Sequence, residues 1–118
     1  MSKLDEHLEA LKRNTEVVES TFEKFNLKLL DYAYLPSDGW SCCWYIIELS
    51  TIEGTLMKED VHLKINFYDK DGGLIYSEDE LIGKDDVDGY NTFKLSFESM
   101  TDKRFYKCQT AKIFLTKV

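Results

Sequence analysis

The sequence predicts a mainly β domain: an antiparallel β-sandwich of six or seven strands with one long N-terminal α-helix. Three observations carry this. Val61, Leu63, Ile65 and Phe67 alternate with His62, Lys64, Asn66 and Tyr68, the two-residue period of a strand with one buried face. Asp69-Lys70-Asp71-Gly72-Gly73 follows as a turn whose glycines tolerate positive φ, and Leu74-Ile75-Tyr76 starts a return strand, so residues 61–76 read as a hairpin. Finally, seven Tyr, seven Phe and two Trp in 118 residues favour sheet over helix. This length suits a single domain, residues 1–118, which can bury roughly two-thirds of its unfolded surface without disulfides or metals.

Taken in order, residues 3–25 read as one helix. Ser2 is a candidate N-cap with Asp5 three residues on, and Asp5, Glu6 and Glu9 suit the positive end of the helix dipole. Leu4, Leu8, Leu11, Thr15, Val18, Phe22 and Phe25 recur at alternating spacings of four and three, a continuous apolar stripe. Asn26 is a stop able to adopt the left-handed conformation. The stripe is open to two uses: packing on the sandwich, or a short dimeric coiled coil. The bulky Phe22 and Phe25 suit the first, whereas Leu4, Leu8 and Leu11 are the candidate partner-binding residues, reaching a second subunit or another protein.

The sandwich is expected over residues 27–118. Residues 26–35 form the first strand, with Leu27, Leu29, Ala33 and Leu35 on one side and Leu30, Tyr32 and Tyr34 on the other. Pro36-Ser37-Asp38-Gly39 is a turn. Residues 40–52 are the longest strand, apolar on both faces at Cys43-Trp44-Tyr45-Ile46-Ile47. The central hairpin leads into an acidic region, Ser77-Glu78-Asp79-Glu80. Residues 91–97 form another strand with Phe93, Leu95 and Phe97 inward, and residues 111–118 close the domain. Phe67, Phe93, Leu95 and Trp44 are the expected core.

Charge narrows the function classes. The net charge is −7, with a net −6 across residues 69–88 and five bases without an acid in residues 103–118. An acidic chain is repelled by phosphate backbones, so nucleic acid is not an expected partner. Three cysteines, two of them adjacent (Cys42, Cys43) and the third at Cys108, suggest a reducing compartment and buried structural thiols rather than a zinc site. The first twelve residues lack the apolar segment of a signal peptide, and no apolar run approaches membrane-spanning length. Taken as complete, the chain is expected in the cytoplasm; taken as trimmed of a signal peptide, it is expected to be secreted.

Ile65-Asn66-Phe67-Tyr68-Asp69-Lys70-Asp71-Gly72 resembles the signature of the FxLYD-type domains, small immunoglobulin-like β-sandwiches of bacteria. The family pattern is Phe-x-Leu-Tyr-Asp followed by a short turn with glycine. Here Ile65 and Phe67 stand at the first and third positions, while Tyr68 and Asp69 match. Gly89-Tyr90-Asn91-Thr92-Phe93 resembles the stretch before the family's following strand. The resemblance covers about residues 27–118. It implies an immunoglobulin-like sandwich acting as an adhesion or interaction module, and it carries no catalytic residue.

No enzyme and no cofactor are expected. Asp69-x-Asp71 begins like an EF-hand loop with Glu80 at its twelfth position, but Gly73 and Leu74 occupy the fifth and sixth, where an oxygen ligand and glycine are needed. Asp69, Asp71, Asp85, Asp86 and Asp88 read as solvated turn carboxylates rather than a calcium site. His7 and His62 read as surface residues without a neighbouring nucleophile motif, and there is no phosphate-binding glycine loop. The expected function is a protein–protein interaction module, with a homodimer through the N-terminal helix as one form. The alternative is a small acidic immunity or inhibitor protein masking a basic toxin or nuclease.

Overall fold

The structure is a computed structural model describing residues 3–36, 42–54, 57, 59–87, 93–100 and 103–118. Ser2, the turn at 37–39, the strand start at 40–41, Lys58, Asp88 and the 89–92 stretch lie outside the described residues.

The N-terminal segment is not one helix. It is helix α1 (Lys3–Arg13), a short strand β1 (Thr15–Val17) and a second helix α2 (Glu19–Lys24). The break falls where Thr15-Glu16-Val17-Val18 brings three β-branched residues together, a run that favours extended backbone. That backbone finds partners on the last strand, β7 (Thr110–Lys117): Ala111 N–H donates to Asn14 O at 3.2 Å and Val18 N–H to Ile113 O at 2.9 Å. The expected stop at Asn26 is present, with φ of 62°. Its side-chain amide donates to Glu53 O at 2.6 Å and accepts from Glu53 N–H at 3.0 Å, which ties the turn to the end of a strand in the sheet.

The remaining strands are β2 (Leu27–Pro36), β3 (Cys42–Thr51), β4 (Val61–Tyr68), β5 (Leu74–Ile82) and β6 (Phe93–Met100), with a 3-10 helix at Lys103–Lys107 before β7. They form a four-stranded sheet in the order β1-β7-β4-β5 and a three-stranded sheet in the order β2-β3-β6. Among the described residues, every pairing is antiparallel except β1 with β7. The fold is thus mainly β with an N-terminal helical segment, as the alternation predicts.

The central hairpin follows its expected register. Val61, Leu63, Ile65 and Phe67 are all fully buried. In the turn, Asp69 N–H donates to Gly73 O at 2.8 Å, and Asp69 Oδ1 accepts from the N–H groups of Asp71 and Gly73, each at 2.9 Å. Gly72 has φ of 84°, which a side chain would strain. The return strand runs on through the acidic residues 77–80 rather than ending before them. Alternation on β5 is blurred because it is an edge strand, where charge is tolerated on both faces.

Elsewhere the register corrects the expected core. The β2–β3 ladder shifts between Leu29 and Asp31, a bulge that leaves Leu30 unpaired and exposed. One extra residue exchanges the faces. Leu27 and Leu29 face inward before the bulge; Tyr32 and Tyr34 do so after it, while Ala33 and Leu35 turn outward. On β3, Cys43, Tyr45, Ile47 and Leu49 are buried, so Trp44 lies on the opposite face and is 38 % exposed, contrary to its expected burial. Phe93 and Leu95 are only half-buried.

The inward faces share one core. Ile65 and Ile113 of one sheet and Ile47 and Leu49 of the other belong to a single buried cluster. Aromatic rings bridge it: Tyr34 to Tyr45 at 5.8 Å, Tyr45 to Phe67 at 5.7 Å and Phe67 to Phe105 at 6.3 Å between centroids. Such contacts add to the area each ring buries.

Candidate interaction surfaces

The leucines expected to meet a partner serve the chain's own core. Leu8 is 2 % and Leu11 1 % exposed, and Leu4 packs half-buried against the same cluster. The correction follows from the broken helix. With β1 bound to β7, α1 is held against β2 and β7, and the stripe is covered on the spot. Phe22 and Phe25, expected on the sandwich, are buried there.

Polar contacts fix the same docking. The Thr15 hydroxyl donates to Leu11 O at 2.7 Å, which leaves the Tyr34 hydroxyl to donate to Thr15 Oγ1 at 2.9 Å. Burial pushes the Tyr34 phenol far above its ordinary pKa. Tyr32 Oη donates to Lys12 O at 3.2 Å. His7 is half-buried rather than on the surface. Its Nε2–H donates to Phe105 O at 2.9 Å, and its ring stands edge-on to Phe105 at 5.1 Å. Burial lowers its pKa from 6.5, the carbonyl acceptor opposes the shift, and nearby Lys3 adds to it. His62 donates from Nδ1 to Asp79 Oδ1 at 3.0 Å across the hairpin.

The two histidines are engaged at separate places, and Cys43 and Cys108 are buried in the core. The turn acids act locally: Asp69 holds the hairpin turn, Asp86 Oδ2 accepts from Gly83 N–H at 2.8 Å, and Asp60 Oδ1 accepts from Lys84 N–H at 2.7 Å. Among the described residues, no group of three or more His, Cys, Asp or Glu is placed to hold a metal ion. Among them, too, no helix is long and apolar enough to cross a membrane.

Two surfaces stand out. The first is the outer face of the β2-β3-β6 sheet. Leu35 is 45 % exposed and sits directly opposite Trp44 in the ladder; Ala33 sits opposite Ile46 beside them. Asp31, Glu48 and Lys94 border this patch around a shallow depression of about 190 Å³ that Ala33 and Ile46 also line. The bulge at Leu30 is what brings Leu35 and Ala33 to this face, and strict alternation from Leu27 would not place them there. The second is the β5 edge, where Glu78, Asp79 and Glu80 lie between the exposed Leu74 and Leu81. No family model, curated protein or solved structure matches the chain.

Proposed function

We propose that this chain is a non-enzymatic protein-interaction module that presents the outer face of its β2-β3-β6 sheet to a protein partner. The observation that carries the reading is the exposed Leu35–Trp44 cross-strand pair beside Ala33 and Ile46, rimmed by Asp31, Glu48 and Lys94. An apolar patch with a polar rim is the anatomy of a docking surface, and tryptophan is among the commonest anchors. The likeness of residues 65–72 to the FxLYD signature supports the same class, an immunoglobulin-like interaction domain. The test is affinity capture with the wild type and Trp44→Glu, the latter checked for a native melt. Loss of the captured protein in the variant supports the reading, and equal capture by both contradicts it.

The acidic β5 edge supports a second reading, an inhibitor that covers a basic protein. Charge of one sign along a strand edge speeds capture of an oppositely charged surface. Binding to a basic toxin or nuclease would then slow steeply with salt and weaken in Glu80→Lys. Salt-independent binding contradicts it.

A further inference from the structure

We propose that a second copy of this chain pairs with it along β6, antiparallel and centred on Ser96, to join the two three-stranded sheets into one of six strands. This goes beyond the partner surface proposed above and does not depend on it.

Among the described residues, four strands lie at sheet edges, and they differ in what they offer a neighbour. The three residues of β1 are continued by α2, where the Thr21 hydroxyl accepts from Leu115 N–H at 3.0 Å and so satisfies β7 beyond the end of β1. The edge of β2 is flanked by α1, tied there by the Tyr32 to Lys12 hydrogen bond. On β5, antiparallel self-pairing about Asp79 would set Glu78 against Glu80 of the other copy twice over, like charges at close range. Among the described residues, β6 pairs only with β3, and its far side carries no strand.

The sequence of β6 is complementary to itself. Reading Phe93-Lys94-Leu95-Ser96-Phe97-Glu98-Ser99 about Ser96 places Lys94 opposite Glu98 of the copy and Leu95 opposite Phe97. The two-fold axis doubles each match, giving two opposite-charge pairs and two apolar pairs. Phe93 and Leu95 stay half-exposed, whereas their β3 neighbours Leu49 and Ile47 are fully buried. A symmetric interface of this kind is closed and self-limiting, and a sheet edge with unpaired backbone groups is a ready template for it.

Sedimentation equilibrium over a range of protein concentrations tests this, with thermal melts to confirm that each variant folds. The wild type should dimerise. Lys94→Glu alone and Glu98→Lys alone should each weaken the dimer roughly ten-fold or more, since each turns two opposite-charge contacts into like-charge ones. Mixing the two single variants should restore a heterodimer, because every charge pair then matches again, and the Lys94→Glu/Glu98→Lys double variant should dimerise like the wild type. A wild type that stays monomeric overturns the proposal. So does a dimer that neither single substitution weakens, or one whose loss is not rescued by mixing. Should Trp44→Glu abolish a dimer that the charge swaps leave untouched, the copies meet face to face rather than edge to edge, which also overturns it.

Discussion

Trp44 and Tyr45 are chain neighbours with opposite fates. Successive strand residues point to opposite faces, so placing Tyr45 in the inter-sheet core commits Trp44 to the outside. Replacing each with alanine should separate the two roles. Tyr45→Ala removes a fully buried ring that touches Tyr34 and Phe67 and should cost about 3–5 kcal/mol in equilibrium denaturation. Trp44→Ala should cost about 1 kcal/mol. Equal losses would mean that the register of β3 is misassigned. This was the hardest kind of residue to read in the sequence, because the centre of β3 is apolar on both faces and periodicity cannot choose between them. Val61 to Phe67 was easy by comparison, since polar residues separate every apolar one. Gly73 offers a further check at this scale. A Cβ there would lie 2.9 Å from Asp69 Oδ2, so Gly73→Ala must displace the carboxylate that holds the turn and should destabilise the hairpin by about 1 kcal/mol.

At the scale of the element, the N-terminal segment shows why a correct burial pattern gave a wrong helix. The spacing of Leu8, Leu11, Phe22 and Phe25 does mark buried residues, but β1 intervenes between the two halves of the stripe. Local β-propensity at 15–18 and the unpaired backbone of β7 together outweigh helix continuation, and only the first of these is visible in the sequence. The Thr21 hydroxyl, which donates to Val18 O at 2.7 Å while accepting from Leu115 N–H, joins α2 to that edge. Thr21→Val keeps the shape and leaves the Leu115 N–H without its acceptor, for an expected loss of about 1–3 kcal/mol. At the other end, α1 is tied to the 3-10 helix through His7. Because burial favours the neutral ring, its folded pKa lies below 6.5, and the unfolded chain binds the proton first as pH falls. The stability that this residue contributes is intact above pH 6.5 and is lost as the pH drops from there through the folded value. Denaturation of the wild type and His7→Gln across this range should show the steeper acid loss in the wild type. Identical pH slopes would contradict the assignment.

Across the whole molecule, two sheets close over one core, and the N-terminal segment is built into that core rather than held out from it. The β class and the central hairpin were legible because alternation and turn chemistry are local signals. The surface proposed for a partner was not, because it depends on a bulge at Leu30 that exchanges the faces of β2 and on the docking of α1, both set by contacts distant in sequence. The apolar residues are therefore divided: Leu8 belongs to the interior, and Trp44 to the outer face of the β2-β3-β6 sheet. Equilibrium denaturation of Leu8→Lys beside Trp44→Lys tests this division most directly. Burying an unpaired ammonium in the core should leave Leu8→Lys unfolded or nearly so, while Trp44→Lys keeps a cooperative transition close to that of the wild type. A Leu8→Lys protein that melts like the wild type while Trp44→Lys unfolds would contradict the account.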